Sequence, residues 1–116
     1  MSRLTWEAHK QDSMVRLALA GEFDLSNATQ VEDAIKEVER DRPSLIVLDL
    51  RDLTFMDSTG LRVMVSADAR ARDDSRRLAV VQGPESVHRV FRITGLDDHL
   101  EMVETPEAAL ADGRQR

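Results

Sequence analysis

The amino-acid sequence predicts an α/β domain in which a mixed, mostly parallel sheet of four to five strands is covered by about four helices, in the order ββαβαβαβα. Short apolar segments rich in β-branched residues alternate with segments in which apolar residues recur every three or four positions. Strands that alternate with helices form parallel sheets with right-handed crossovers. The 116 residues suffice for one domain. We expect it over residues 1–111, before a frayed tail over residues 112–116 that has no apolar residue.

The first elements are predicted to be a β-hairpin and then a helix. Two loosely alternating segments, residues 4–9 and 14–20, flank the turn-forming residues 11–13. Apolar residues then recur at spacings typical of one helix face: Ala28, Val31, Ile35 and Val38. Asn27, with Gln30 three residues later, has the form of a capping box at the start of this helix.

The rest of the chain is predicted to alternate between strands and helices. The continuous apolar run 45–48 is typical of a strand buried on both faces, and Asp49 and the pair Arg51-Asp52 mark where that strand approaches solvent. A second helix follows, which Asp57 or Ser58 caps and which runs to about Arg72. The later elements are a strand over 78–81, a helix with Pro84 at its first position and Gly95 at its left-handed end, a strand near 100–103 and a terminal helix after Thr105.

Composition and charge exclude several functional classes. The chain has 16 basic and 22 acidic residues and a net charge of −6, so its field repels nucleic acid and anionic lipid headgroups. It has no cysteine, and its three histidines lack metal-ligand spacing. No early apolar run resembles a signal peptide, and no stretch approaches the ~20 apolar residues that span a bilayer. We therefore expect a cytoplasmic protein that needs no metal or cofactor and contacts neither nucleic acid nor membranes directly.

Two loops at predicted carboxyl ends of strands are candidate sites, because the functional groups of parallel sheets gather there. They cover residues 21–26 and residues 54–61. In the second loop the run 57–60, Asp-Ser-Thr-Gly, brings a carboxylate, two hydroxyls and a glycine to the start of a helix, where unpaired backbone N–H groups favour a phosphate. The spacing leaves a simpler interpretation open, in which Ser58 only caps the helix and Gly60 only relieves crowding.

Three runs of residues give the chain a resemblance to a known family. They are 19–26 (Leu-Ala-Gly-Glu-Phe-Asp-Leu-Ser), 48–50 (Leu-Asp-Leu) and 55–61 (Phe-Met-Asp-Ser-Thr-Gly-Leu). With them the sequence closely resembles the STAS-domain anti-sigma factor antagonists over nearly its whole length. The resemblance implies the STAS fold and a partner switch, in which the unphosphorylated protein binds an anti-sigma factor that is also a serine kinase and thereby frees a sigma factor. It also implies that the kinase ends this binding by phosphorylating Ser58, the first hydroxyl residue after the aspartate, rather than Thr59.

The same resemblance implies a partner-binding surface around the two loops. Its expected residues are Asp24, Ser26, Asp57, Ser58, Thr59, Gly60, Leu61 and Arg62. Arg62 stands where many relatives have a glycine, so we expect either a particular kinase as the partner or a contact of different shape there. A serine phosphatase that resets Ser58 is a further expected partner.

Two other functions stay open on the sequence. In the first, the chain is a STAS scaffold or a regulatory subunit of another complex, in lipid transport or stress signalling, without a sigma-factor cycle. In the second, it is an enzyme or a receiver domain that accepts a phosphate on an aspartate. The second fits less well, because no closely paired acids stand at an early strand end. We therefore expect a binding module rather than an enzyme, with no catalytic residue.

Overall fold

Residues 3–111, which the computed structural model describes, form a mixed sheet of five strands and four α-helices. The strands are β1 (Leu4–Gln11), β2 (Met14–Phe23), β3 (Leu45–Met56), β4 (Arg77–Val81) and β5 (Glu101–Val103). The helices are α1 (Ala28–Glu39), α2 (Ser58–Asp73), α3 (Glu85–Thr94) and α4 (Pro106–Ala111), with a 3-10 turn (Leu96–Asp98) after α3. The predicted tail over residues 112–116 lies outside the described residues.

The strands lie side by side in their chain order. β1 pairs antiparallel with β2, and all other neighbouring strands pair in parallel. The predicted α/β class, mostly parallel sheet and element order are thereby confirmed. Because β2 and β3 are parallel neighbours, their carboxyl ends lie at the same edge of the sheet, where the chain continues into α1 and α2.

The middle strand, β3, separates two apolar layers, because successive side chains of a strand point to opposite faces. Ile46 and Leu48 belong to the main core, together with side chains of α1, α2 and α3. Leu45 and Val47 face a smaller layer, to which α4 contributes Ala109. The apolar run is therefore buried on both faces, as predicted.

The strand does approach solvent at Arg51 and Asp52, as expected, but the same expectation is wrong for Asp49. β3 continues to Met56, and Asp49 is only 4% exposed. Its carboxylate accepts hydrogen bonds from Arg16 at 3.1 Å and from Arg51 at 2.8 and 3.0 Å. Burial raises the pKa of the Asp49 carboxyl, but the donors of Arg51 and Arg16 lower it by more, so this pKa lies below its usual range. A charged residue does not end a strand when cations beside it compensate its charge.

The first parts of both predicted loops are strand instead. β2 and β3 stay paired up to Phe23 and Met56, and two register shifts accommodate extra residues of β3. Gly21, within this paired region, has φ 109. A Cβ added there would lie 2.0 Å from the carbonyl oxygen of Arg3, so the path of β2 against β1 requires glycine.

The helix ends agree only in part with those predicted from the sequence. Gly95 takes the predicted left-handed conformation after α3, with φ 78, whereas Pro84 lies one residue before the helix instead of at its first position. The capping box predicted for α1 is wrong, because the side chain of Asn27 makes no capping hydrogen bond to that helix. No helix within residues 3–111 is long and apolar enough to cross a membrane.

Candidate functional site

The two candidate loops meet at the carboxyl edge of the sheet. Phe23, the last residue of β2, lies opposite Met56, the last residue of β3. The backbone N–H of Asp57 donates a hydrogen bond to the carbonyl oxygen of Phe23 at 3.3 Å. The residues that follow the two strands, including Asp24 and Ser58, therefore lie at neighbouring positions, as expected from parallel pairing.

The loop before α1 is held by its own side chains. The carboxylate of Asp24 accepts hydrogen bonds from the backbone N–H of Ser26 at 3.0 Å and from its hydroxyl at 2.6 Å. Asn27, which is 1% exposed, accepts from the backbone N–H of Asp24 at 3.0 Å and donates to the carbonyl of Glu22 at 2.9 Å. Asp24 and Ser26 thus shape the loop, and Leu25 between them points outward with 75% of its surface exposed.

The start of α2 leaves the predicted hydroxyl accessible. Asp57 is the residue that caps this helix, since its carboxylate accepts hydrogen bonds from the backbone N–H groups of Thr59 at 2.9 Å and Gly60 at 3.3 Å. Ser58 is then the first helical residue and is exposed. The part of the simpler interpretation that makes Ser58 the cap is therefore wrong.

Gly60 and Leu61 support this helix start from beneath. A Cβ added at Gly60 would lie 2.6 Å from Cγ of Met56 and 3.2 Å from the ring of Phe23, so the glycine allows α2 to approach the ends of both strands. Leu61 is 5% exposed and belongs to the main core. Both residues pack against the core in the free chain, and their expected contact with a partner stays a prediction.

A groove of about 480 Å³ runs between α1 and α2 beside Ser58. Its walls carry Leu25, Thr29, Asp33, Lys36, Thr59 and Arg62, among others. Arg70 of α2 holds the two helices together, because it donates to Glu32 at 2.6 Å and to Glu39 at 3.0 Å, both on α1. The predicted residues Thr59 and Arg62 therefore face a groove whose two walls are tied by ion pairs.

A family model described as "Mlab, STAS domain" matches residues 6–104. The chain belongs to the STAS domain family. An anti-sigma-B factor antagonist of Listeria monocytogenes is 32% identical over 88 residues, which cover 76% of this chain and 77% of that protein. Among solved structures, an anti-sigma factor antagonist from Mycobacterium paratuberculosis is 27% identical, covers 97% of this chain and 95% of its own, and superposes with a TM-score of 0.88.

The fold of this STAS protein also matches the unphosphorylated form of the anti-sigma factor antagonist SpoIIAA, with a TM-score of 0.79 at 21% identity over 97% of this chain and 100% of that one. The predicted family and fold are thereby confirmed. The curated relatives of this STAS protein are anti-sigma factor antagonists, which are regulatory binding proteins rather than enzymes.

The sequence did not predict that two apolar side chains at this edge are exposed. Leu25 and Phe55, which is 48% exposed, belong to the recognised runs but look like ordinary members of apolar patterns. Their exposure follows from the neighbours: Leu25 lies between two residues that hydrogen-bond each other, and Phe55 precedes the buried end of β3 at Met56. An apolar residue flanked by Asp and Ser in a loop is the signal that could have identified Leu25.

The polar groups of this site are two carboxylates and several hydroxyls at the starts of two helices. The carboxylates of Asp24 and Asp57 already accept hydrogen bonds from backbone N–H groups of their own loops. Over residues 3–111, no group of three or more His, Cys, Asp or Glu side chains is placed to hold a metal ion. The exposed groups that distinguish this edge are Ser58, Leu25, Phe55 and Arg62.

Proposed function

We propose that this STAS protein is an anti-sigma factor antagonist. In its unphosphorylated form it binds an anti-sigma factor with serine-kinase activity and frees a sigma factor, and phosphorylation of Ser58 by that kinase ends the binding. The observation that carries the proposal is the exposed hydroxyl of Ser58, which stands in the first turn of α2 because Asp57 supplies the cap. The Listeria monocytogenes relative, itself an anti-sigma-B factor antagonist, supports the same role here.

The edge around Ser58 has the composition of a protein-binding surface. Leu25 and Phe55 are exposed apolar side chains, and side chains of this kind contribute most when they are buried at the centre of an interface. Leu25 lines the groove together with polar residues that include Thr59 and Arg62. We therefore add Leu25 and Phe55 to the contact surface and leave Gly60 and Leu61 as its packed base.

Phosphorylation would weaken such an interface through charge. It adds about −1.5 to −2 charges at pH 7 at one point. Asp57 is next in sequence, and Asp24 lies on the neighbouring loop, so the phosphate joins two acids at a surface that must lose water on binding. The N-terminus of α2 partly stabilises the phosphate in the free protein. Both effects favour release, and a penalty of ~3 kcal/mol weakens binding about a hundredfold.

The chain acts as the substrate of this reaction, and the kinase supplies the nucleotide and the catalytic base. A serine phosphatase that hydrolyses the phosphoserine would return the protein to its binding state. The cycle requires all partners in one compartment with ATP, which is the cytoplasm.

The test compares the natural chain with Ser58→Ala and Ser58→Asp in titrations against candidate anti-sigma kinases in the presence of ATP. We expect the Ala variant to bind and to resist phosphorylation, and the Asp variant to bind at least about tenfold more weakly because it places a charge at the contact. Ser86 offers a matched control, since it is an exposed serine in the first turn of α3. The variants Ser86→Ala and Ser86→Asp should bind and be phosphorylated like the natural chain.

Three outcomes would contradict the proposal. Equal affinity of the Ser58 variants would remove the switch, and phosphopeptide mapping that finds only Thr59 modified would move the site. Recovery of transporter subunits without a kinase in a pull-down would favour the alternative, a STAS subunit of another complex.

A further inference from the structure

Arg62 lies one helical turn after Ser58 on α2. Residues four positions apart on a helix are neighbours on its surface, so the two side chains share one face. Both residues are exposed, and Arg62 also lines the groove between α1 and α2. The guanidinium of Arg62 therefore lies within reach of whatever group Ser58 carries.

We propose that Arg62 is the internal counter-ion of phosphorylated Ser58 and draws the phosphate along α2 toward the groove. The inference rests on the proposed function, because it takes Ser58 as the phosphorylated residue. A guanidinium presents a planar fork of N–H donors that matches the oxygens of a phosphate, and such charge-assisted pairs are stronger than neutral hydrogen bonds. A glycine at position 62 would leave the phosphate without this partner.

The other charged groups around Arg62 compete weakly for it. On the α2 side, Asp57 accepts from the backbone N–H groups of Thr59 and Gly60, and on the neighbouring loop Asp24 accepts from Ser26. On the α1 side, Glu32 pairs with Arg70 at 2.6 Å.

Asp33 and Lys36 of α1 line the same groove as Arg62. Asp33 is the acid that competes for Arg62, but it carries one charge and sits on the other helix, whereas a phosphate carries about −1.5 to −2 and is fixed one turn away. Lys36 adds a second cation to the groove and favours the phosphate further. The charge balance therefore directs a phosphate on Ser58 toward Arg62.

The pairing of Arg62 with the phosphate adds a second electrostatic effect to the switch. Phosphorylation adds negative charge at Ser58, and it also withdraws the positive charge of Arg62 from the docking surface. A kinase that contacts Arg62 through an acidic side chain would lose that contact at the same moment.

The experiment uses the full chain with phosphoserine installed at position 58 during translation, so that no kinase is needed, and follows the phosphate by ³¹P NMR as pH is varied. A nearby cation stabilises the dianion, so Arg62→Gln should raise the second pKa of the phosphoserine by about 0.3 to 0.6. Arg62→Lys keeps the charge but not the fork, and it should raise this pKa by less than half as much. Arg40→Gln is the control, because Arg40 follows the far end of α1 and should leave the pKa unchanged.

A pKa in Arg62→Gln that equals the value in Arg40→Gln would overturn the inference. An equal rise in Arg62→Lys and Arg62→Gln would overturn the role of a charged partner in the same way. Since the phosphate is introduced without a kinase, failure of any kinase to modify Ser58 would refute the proposed function and leave this measurement unaffected.

Discussion

The starts of α1 and α2 look alike in sequence and differ in structure. Each helix follows a parallel strand, and each is preceded by a polar residue suited to capping, Asn27 or Asp57. Asp57 caps α2 through two backbone N–H groups, whereas Asn27 turns away from α1 and bonds back to the loop that precedes it. The difference teaches that a capping residue can stabilise either the helix or the loop before it.

This difference between the two helix starts decides whether the nearby serine hydroxyl, that of Ser26 or of Ser58, takes part in holding the structure. In the loop before α1, the hydroxyl of Ser26 donates to Asp24 at 2.6 Å and is used in holding the loop. At the start of α2, the carboxylate of Asp57 takes the capping role, and the exposed Ser58 is not needed for it. The first loop is therefore suited to be a rigid contact surface and the second to be a site of modification.

The largest loss of stability should come from removing the hydrogen bonds that hold the loop before α1. In Asn27→Ala, two hydrogen bonds of a fully buried side chain are lost and the backbone groups of Glu22 and Asp24 lose their partner, so we expect a loss of about 2 to 3 kcal/mol in the free energy of unfolding. Urea denaturation measures it. Gln30→Ala is the control: because the predicted capping box is absent, its effect should stay below about 0.5 kcal/mol. Equal losses in the two variants would contradict this account of Asn27.

A smaller effect should follow from removing the cap of α2. Asp57→Ala should lower the free energy of unfolding by about 1 kcal/mol, which is typical of a lost N-cap. Asp57→Asn keeps an oxygen that accepts from Thr59 and Gly60, so it should retain most of the stability. The comparison between the two helix starts would fail if Asp57→Ala cost as much as Asn27→Ala, or if Asp57→Asn behaved like Asp57→Ala.

The smallest loss of stability should come from Asp49, whose carboxylate accepts hydrogen bonds from the guanidinium groups of Arg16 and Arg51 as well as from the backbone N–H of Arg51. Its pKa in the folded protein lies below the ordinary value near 3.9, so its stabilising contribution is complete above about pH 4 and is lost as pH falls through the folded-state pKa. Asp49→Asn should therefore lower stability at pH 7 by no more than about 1 kcal/mol, since Arg51 is half exposed, and by less at pH 3. Denaturation at the two pH values checks this, and a difference that grows toward low pH would reverse the assigned sign.

Much of the fold follows from local patterns. Apolar spacing identifies α1 through Val31 and Ile35, and the continuous run at 45–48 identifies the strand that both layers bury. The left-handed end of α3 at Gly95 follows from residue type alone. These features are predictable because they depend on residues within one or two helical turns of each other.

The capping error at Asn27 concerns partners within five residues, whereas two other errors depend on contacts that are distant in sequence. Asp49 looks like a residue that meets solvent, but Arg16, 33 residues earlier, helps to compensate its charge within the sheet. The exposure of Phe55 depends on how far β3 stays paired with β2. Neither contact leaves a periodic signal in the sequence.

By itself, the sequence determined the element order, the mostly parallel sheet and the position of Ser58 at a helix start, because spacing and turn-forming residues act over short stretches of chain. Only the tertiary structure decided that Asp57 caps α2 while Asn27 ties its loop, that Gly60 and Leu61 are buried, and that Leu25, Phe55 and Arg62 are exposed beside Ser58. The physical reason is that burial and exposure depend on strands and helices that come together from distant parts of the chain, and that the backbone path at each helix start selects among several local hydrogen-bond partners.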